Sequence, residues 1–283
     1  MGKVNKDIGR IIDEMTLFDD ELMSRVFDGN IEATEYLLQT ILGRSDIRVK
    51  QVKGEYSMKS PRVGGRGVRL DIKAEETGGA VFDVEVQKAS KGAHVRRARY
   101  NSSMIDSRLL DENKEYSELK DSYVIFIYEK DKFRKKLPVY HIERYVKETG
   151  LEFGDGSHII YVNGRYNGND EIGMLIHDFK CLNSEEVYNS ALAAGIKQYK
   201  ETEGGRKEMS DIVERYGNKM EKRGEKRGEK RGEKRGMRMG EQMAMINSVK
   251  SLMDTMKLTL EQALDALKIQ GKERESIIKA VQG

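Results

Sequence analysis

Two short segments around Gly78 constrain this chain more than any other feature. In VRLDIK (68–73) and in VFDVEVQK (81–88), apolar and polar residues alternate with a period of two. This is the pattern of a β-strand that is buried on one face. The two glycines between the segments favour a tight turn. The sequence therefore predicts a β-hairpin centred on Gly78, with a three-residue loop.

The predicted register brings two acids together, because Asp71 then lies opposite Glu85. Like charges directly opposite each other destabilise a sheet, since their Cβ atoms are only about 5 Å apart. A divalent cation between the two carboxylates would turn this repulsion into attraction, and Mg²⁺ prefers such hard oxygen ligands. The alternation also fits a second interpretation, in which both acids are solvated surface groups partnered by Arg69 and Lys73.

The segments around the hairpin predict further helices and strands. Gly29 ends one helix, and Asn30 is a suitable N-cap for the next. A continuous apolar run, SYVIFIY, is typical of a central strand covered on both faces. The resulting order of elements favours an α/β sandwich around a mixed sheet. The predicted elements are helices at 17–28, 31–42 and 92–110, and strands at 68–73, 81–88, 122–128 and 158–162.

The chain changes character after residue 200. Residues 221–236 are the tetrapeptide EKRG repeated without any apolar residue. Each glycine costs a helix about 1 kcal/mol relative to alanine, and an ordinary coiled coil needs an apolar seam. A flexible, charged linker is therefore favoured. In the alternative interpretation the run is an electrostatic tether, whose Lys and Arg side chains neutralise phosphates.

Residues 241–283 recover a helical period, and Thr259 with Gln262 forms a capping-box pattern. Gly271 is expected to end that helix before another begins. We predict an α/β domain at 1–200, a charged linker at 201–240 and a small helical region at 241–283. The methionines and leucines of the last region suit self-association as a homo-oligomer or another partner surface, and a DNA-reading role stays open beside them.

The composition limits the remaining possibilities. No run approaches the ~20 apolar residues of a membrane span, and the first residues lack the apolar stretch of a signal peptide. The single cysteine, Cys181, excludes an internal disulfide and a cysteine-rich zinc site. We expect a cytoplasmic protein with no membrane partner. The histidines are widely spaced and interpreted as structural, although His94 lies close after the hairpin; they are His94, His141, His158 and His177.

Several segments together resemble a known family. The string Asp71 … Glu85-Val86-Gln87 resembles the core of PD-(D/E)XK nucleases, with glutamine in place of lysine and Leu70 in place of proline. More narrowly, the chain resembles bacterial recombination-promoting nucleases (Rpn) and related transposases over residues 15–200. The similar segments are FDDELMSRVFDGNIEATEYLL, GRGVRLDI, FDVEVQKASKGAHVRRARYNSSMID, YVIFIYEKD, LPVYHIERYV, DGSHIIYVNG and HDFKC.

The resemblance implies a restriction-endonuclease-like fold, with a mixed central sheet flanked by helices and a C-terminal helical extension. It implies that Asp71 and Glu85 hold Mg²⁺, for which Mn²⁺ substitutes, and that the Val86 carbonyl adds a ligand. Gln87 would position the attacking water by hydrogen bonding, because an amide cannot exchange a proton as lysine does. An acid from the first helix completes such sites. Asp20 is our candidate, and Asp19, Glu32 and Glu35 are its rivals.

The resemblance also implies contacts with DNA. Arg97 and Tyr100, on the helix after the hairpin, are candidates to touch phosphate, with Arg69 as a third. An exposed basic face and a tyrosine at the edge of the core explain the first two equally well. The implied activity is Mg²⁺-dependent DNA endonuclease cleavage that promotes recombination or transposition-like events.

Two alternatives remain beside this activity. One is a catalytically inactive nucleic-acid-binding or assembly protein, and the other is an RNA-cleaving toxin or defence nuclease. An arginine or lysine that fills the space between Asp71 and Glu85 would leave only the binding protein, because it would occupy the place of the cation.

Overall fold

The computed structural model describes residues 2–89 and 93–282, and only the backbone of residues 2–6, 219, 220, 223, 272 and 282. The chain divides into two compact units, Met1–Glu214 and Arg215–Gly283. We describe each unit by itself. The domain limits predicted above, at residues 200 and 240, differ from this single division and stay a prediction.

A six-stranded mixed sheet forms the centre of the first unit, with the strand order β1-β2-β3-β4-β6-β5. Strands β1, β2 and β3 pair antiparallel, β3, β4 and β6 pair parallel, and β5 pairs antiparallel with β6. This confirms the predicted fold class. The strands are β1 (Val49–Met58), β2 (Val68–Glu76), β3 (Val81–Gln87), β4 (Ser122–Tyr128), β5 (Val139–Ile142) and β6 (Ser157–Asn163).

Helices cover both faces of this sheet. On β3, Phe82, Val84 and Val86 pack into one apolar core together with residues of the first, second, third, fifth and sixth helices. Val81 packs into a second core, on the other face, with residues of the fourth helix. The helices are α1 (Gly2–Asp13), α2 (Asp20–Phe27), α3 (Ile31–Leu42), α4 (Val95–Leu109), α5 (Glu171–Asp178), α6 (Ser190–Lys200), α7 (Glu203–Met256), α8 (Leu260–Ala266) and α9 (Gly271–Gln282).

Short-range hydrogen bonds explain where α2 and α3 begin. The Asn30 side chain accepts a hydrogen bond from the Ala33 backbone N–H at 3.1 Å, as expected of an N-cap. Helix α2 begins three residues later than predicted. The reason is a turn, in which the Asp19 carboxylate accepts a hydrogen bond from the Thr16 N–H at 3.1 Å.

The hairpin of β2 and β3 has the predicted centre. Ile72 pairs with Val84, so the midpoint of the ladder is residue 78. The Glu76 N–H donates to the Ala80 carbonyl at 2.9 Å, which closes a loop of three residues. Gly79 has a φ of 96°, a backbone conformation that favours glycine. The loop length and the register both follow from the two-residue period and the glycine turn.

The second unit contains a helix where the sequence favours a flexible linker. The EKRG repeat lies entirely within α7, so the irregular conformation expected for it is wrong. Three residues of each repeat are good helix formers. The repeat is also continuous with helix on both sides, so it does not bear the cost of helix nucleation.

The last helices pack around a small apolar core made of Val249, Ala263, Leu264, Ile269 and Ile277. Thr259 and Gln262 form the predicted capping box at the start of α8. Gly271, expected to end that helix, instead begins α9, and α8 ends at Ala266. Over the part of the chain that the structure describes, no helix combines the length and the apolar character of a membrane span.

Candidate active site

Four polar side chains of the hairpin are buried on the face of the sheet that α4 covers. Asp83, Glu85 and Gln87 alternate along β3 with the apolar residues of the opposite face, and all three are almost fully inaccessible. Asp71 on β2 is 4% exposed. The alternation of a strand therefore puts these acids inside the protein. The interpretation of Asp71 and Glu85 as solvated surface groups is wrong.

Asp71 lies where the backbone ladder of the hairpin ends. The last pair of the ladder is Ile72 with Val84. Beyond it, the Asp71 carboxylate accepts a hydrogen bond from the Val86 backbone N–H at 3.1 Å. The side chain thus takes the place of a backbone partner and is held against β3, beside Glu85.

The acids of the hairpin share one electrostatic environment. Burial is the largest cause that raises the pKa of Asp71 well above its usual value, followed by the charges of Glu85 and Asp20. Burial and the charge of Asp83 raise the pKa of Glu85 to about 8. Burial also raises the pKa of Asp83 to about 8. The protein therefore brings together carboxyl groups that resist ionisation unless a cation accompanies them.

Helix α4 supplies two side chains that contact these acids. The Asn101 amide donates to Asp83 at 2.8 Å and to Glu85 Oε1 at 3.0 Å. Arg97 donates to Gln87 Oε1 at 2.9 Å and forms an ion pair with Glu85 Oε2. Residues 97 and 101 are four apart, so both side chains lie on the same face of the helix.

Arg97 therefore does not have the position expected of a residue poised for phosphate alone. Its guanidinium lies over the Phe126 ring, with Cζ 5.8 Å from the ring centroid. It is the cation whose charge lowers the pKa of Asp71, Asp83 and Glu85. One positive charge would not balance these acids if they ionised, so their ionisation would favour binding of a further cation.

The other two proposed phosphate contacts lie elsewhere. Arg69 forms an ion pair with Glu55 at 3.0 Å. The Tyr100 hydroxyl donates to the backbone carbonyl of Arg66. Both side chains are thus engaged with the segment of β1, β2 and the loop between them, and neither contact supports the role that the resemblance implies.

The candidate acid of the first helices lies near the hairpin acids. Asp20 is 8% exposed at the start of α2, and its charge helps to raise the pKa of Asp71. The rivals have other contacts or environments. Asp19 forms an ion pair with Lys88 at 2.5 Å, Glu35 accepts a hydrogen bond from the Val49 N–H at 2.8 Å, and Glu32 is exposed.

Gln87 and the Val86 carbonyl contact each other. The Gln87 side-chain N–H donates to the Val86 carbonyl oxygen at 2.8 Å, while Arg97 donates to its Oε1. Both predicted groups are present at the site, but each has a protein partner. Arg97 and the Gln87 amide would have to move before a water or an ion takes their places.

The donor set fits a hard divalent cation. Asp71, Glu85 and Asp20 offer carboxylate oxygens, which Mg²⁺ and Mn²⁺ prefer. Among the described residues, Asp83 Oδ1 is buried without a hydrogen-bond partner, so the same cluster contains an unsatisfied polar atom. Asp71 and Glu85, with Asp20, are the residues whose chemistry would suit the ion, although they are not among the described groups of three donors within 4.8 Å of one another.

Sequence reasoning missed two members of this site. Asp83 lies on the same face of β3 as Glu85, so the period of two already placed it there. Asn101 follows Arg97 by four residues, which is a helical neighbour spacing. Neither signal distinguishes a functional residue from an exposed one before the packing of α4 on β3 is known.

A second group of donors occurs at the end of α5. His177, Asp178 and Cys181 place one donor atom each within 4.8 Å of one another. Asp178, however, accepts hydrogen bonds from the backbone N–H groups of Tyr188 and Asn189 at 2.8 and 3.0 Å. Burial raises the pKa of the Cys181 thiol to about 11. These contacts explain the group as a loop anchor before α6.

His94, which the sequence places close after the hairpin, has a structural role. His94 is the N-cap of α4, and its Nδ1 accepts a hydrogen bond from the Arg96 N–H at 3.0 Å.

A mixed sheet with an acid on β2 and a Glu-Val-Gln string on the neighbouring β3 defines a PD-(D/E)XK nuclease-like domain. The model of the PD-(D/E)XK nuclease family transposase family matches residues 26–164. The domain built on these residues belongs to that family. The match includes Asp71, Glu85, Gln87 and Arg97, whereas Asp20 lies before it. Searches of curated proteins and of solved structures each gave no match.

Proposed function

We propose that this protein is a metal-dependent endonuclease that hydrolyses phosphodiester bonds of DNA. One observation carries the proposal: Asp71, Asp83 and Glu85 are buried together beside a single, partly exposed arginine, and burial raises the pKa of all three. Buried acids that are not compensated by the protein destabilise it. A bound cation would offset that cost, and it could also bind and activate a phosphate group.

In this proposal the residues of the hairpin hold and orient the reactants. Asp71 and Glu85 hold Mg²⁺ or Mn²⁺, and Asp20 is the third candidate ligand. When bound, the ion stabilises negative charge at the scissile phosphate and lowers the pKa of a water. Gln87 orients the attacking water through its side-chain amide. The water oxygen bonds to phosphorus, the bond to the leaving oxygen breaks, and that oxygen takes up a proton.

Arg97 has a second task in the same proposal. Its guanidinium can pair with a phosphate by two parallel hydrogen bonds. If Arg97 left Glu85 for the substrate, Glu85 Oε2 would be free to hold the cation, while Asn101 would still donate to Oε1. The proposed chemistry thus uses side chains that the fold already brings into contact.

The experiment is a plasmid-cleavage assay with Mg²⁺, with Mn²⁺ and with EDTA. Asp71→Asn removes the charge but keeps an oxygen that can accept from the Val86 N–H. We expect cleavage by the wild-type protein with either metal, none with EDTA, and loss of cleavage in Asp71→Asn. The matched control is Glu75→Gln on the same strand, whose carboxylate pairs with Lys73 at 2.5 Å. Unchanged cleavage by folded Asp71→Asn contradicts the role of that residue.

The biological setting follows from the same proposal. A bacterial cytoplasm suits a nuclease with one reduced cysteine, and cleavage of DNA would promote recombination or transposition-like events. An RNA-cleaving toxin or defence nuclease uses the same chemistry. A panel of matched DNA and RNA substrates distinguishes them, since preferential RNA cleavage replaces the DNA assignment.

One observation favours a second candidate, a catalytically inactive nucleic-acid-binding or assembly protein. Glu85 is fully buried and takes its hydrogen bonds from Arg97 and Asn101, and Gln87 is held by Arg97. A permanent Arg97–Glu85 pair would replace the metal. Calorimetric titration with Mn²⁺ separates the two candidates: binding that is lost in Asp71→Asn supports the nuclease, and absence of binding supports the inactive protein.

A further inference from the structure

The EKRG repeat arranges its charges on α7 in a way that the linear sequence does not show. In a helix with about 3.6 residues per turn, each four-residue repeat advances by about 6 Å and turns by about 40°. Lys and Arg of a repeat occupy one half of the helix circumference, and Glu and Gly occupy the other half. Equivalent side chains therefore follow a shallow right-handed path along the helix.

The C-terminal part of the repeat carries a continuous basic stripe. Its members fall within a sector of about 100° of the helix circumference, and all are exposed. Glu229 and Glu233 lie on the opposite side. Together with Met239 and Gln242, the stripe lines a shallow depression of about 360 Å³. The basic stripe consists of Arg231, Lys234, Arg235 and Arg238.

The helix does not neutralise this stripe internally. Glu221, Glu225 and Glu229 each have another Glu four residues later, so the favourable spacing of four residues from Glu to Lys is absent from the repeat. Among the described side chains, none of the stripe's four cations forms an ion pair. Like charges four residues apart destabilise a helix by a few tenths of a kcal/mol per pair. An external anion would reverse this effect.

The composition of the repeat distinguishes between polyanions. Single strands are held by aromatic side chains that stack on bases, and residues 221–242 contain no aromatic residue. Helices that lie on membranes insert a broad apolar face, and residues 221–236 contain no apolar residue at all. A row of cations without either feature suits the closely spaced phosphates of a duplex.

We propose that the basic stripe of α7 binds the phosphate backbone of duplex nucleic acid without reading its base sequence. The stripe shares no residue with the hairpin acids, and the proposal goes beyond the proposed hydrolysis. Binding is measured without metal, so its outcome does not depend on cleavage.

The test uses the full-length protein in EDTA and a variant that changes only the arrangement of charges. It exchanges two pairs of residues: Glu229→Arg with Arg231→Glu, and Glu233→Arg with Arg235→Glu. Composition, net charge and helix propensity are preserved, but two glutamates now interrupt the stripe. Arg231→Lys with Arg235→Lys is the matched control, because it keeps the charge of the stripe.

Fluorescence anisotropy measures the affinity for a duplex between about 50 and 200 mM salt. We expect the exchange variant to lose about tenfold or more in affinity at the lowest salt. The slope of the logarithm of the association constant against the logarithm of the salt concentration should become less negative by about 2 to 4. Each phosphate contact contributes about 0.9 to this slope. The lysine control should behave like the wild-type protein.

A second variant is used if the exchange variant loses its helical structure. Arg231→Gln with Arg235→Gln should flatten the salt dependence by about 2 units. Unaltered affinity and salt dependence in a helical variant overturn the proposal. Tighter binding to a single strand of equal length, or to phosphatidylserine vesicles, than to the duplex also overturns it.

Discussion

Arg97 forms an ion pair with Glu85, and the same guanidinium donates to Gln87 at 2.9 Å. Glu85 and Gln87 are two of the residues that the proposed chemistry needs. A divalent cation held by Glu85 would have to compete with Arg97 for Oε2, because the guanidinium already pairs with that oxygen. In the proposed mechanism the arginine would therefore weaken metal binding until a phosphate draws it away.

Removing this competitor should strengthen metal binding and weaken DNA binding. We expect Arg97→Ala to bind Mn²⁺ in the absence of DNA about tenfold more tightly, a change that corresponds to about 1.4 kcal/mol. Its affinity for DNA should fall, because a phosphate partner is lost. Calorimetry measures the first effect and fluorescence anisotropy the second. The control is Arg96→Ala, an exposed neighbour on α4; equal Mn²⁺ affinity in all three proteins contradicts the competition.

The raised pKa values predict how stability depends on pH. In the metal-free protein, Asp83 and Glu85 have pKa values of about 8, against about 4 in the unfolded chain. The native state therefore holds protons that the unfolded state has released, and this contribution to stability is lost as the pH rises from about 4 to about 8. Thermal melts in EDTA should show the decline, and Mn²⁺ should raise Tm more at pH 8 than at pH 5.

The double variant Asp71→Asn with Glu85→Gln is the control for this pH dependence. It should melt at a higher temperature than the wild-type protein in EDTA at pH 8, because buried charges are removed. It should also respond little to Mn²⁺. A wild-type Tm that rises steadily with pH in EDTA and ignores Mn²⁺ is incompatible with the proposed charge excess.

Asn101 should be a positioning residue for Glu85. Asn101→Ala removes two hydrogen bonds inside the protein and leaves buried acceptors without a donor, at a cost of about 2 kcal/mol in the free energy of unfolding. Urea denaturation measures this loss, and Mn²⁺ titration should show weaker binding because Glu85 is no longer held. The exposed Asn113→Ala is the control. A loss of stability with unchanged Mn²⁺ affinity would make Asn101 purely structural.

Replacement of Lys200, at the end of α6, should have a large effect on the free energy of unfolding. It is 4% exposed, and its ammonium group donates to the carbonyl oxygens of Asp13, Met15 and Leu182 at 2.5–3.0 Å. Burial lowers its pKa. Lys200→Met should reduce the free energy of unfolding by about 3 kcal/mol, since hydrogen bonds to charged groups contribute roughly 1.5–3 kcal/mol each.

The control for this variant is Lys197→Met, an exposed residue of the same helix, which should change stability by less than about 0.5 kcal/mol. Equal losses in the two variants, measured by urea denaturation, contradict the conclusion that the hydrogen bonds of Lys200 to the backbone around Asp13 and Met15 and to Leu182 stabilise the fold.

The hairpin register was predictable because two independent signals agree on it. The period of two places Asp71, Asp83 and Glu85 on polar faces, and the Gly78-Gly79 turn determines which residues lie opposite each other. The N-cap at Asn30 and the capping box at Thr259 were predictable for a similar reason, since each depends on residues only three apart.

The contacts made by α4 were not predictable in the same way. Whether Arg97 meets a phosphate or Glu85 depends on how the helix packs on β3, which no local pattern encodes. Burial of the acids could not be predicted either, because the polar face of a strand is usually solvated. The EKRG repeat was wrongly predicted to be irregular for a different reason. The cost of its four glycines was considered, but the helix that continues on both sides was not.

The position of a bound ion tests the central claim most directly. Crystals of the full-length protein soaked in Mn²⁺ should show anomalous density between the carboxylates of Asp71 and Glu85, with Arg97 displaced from Glu85. If the density is absent there and Arg97 keeps its ion pair, the hairpin is not a metal site. Density confined to His177, Asp178 and Cys181 would contradict the account equally.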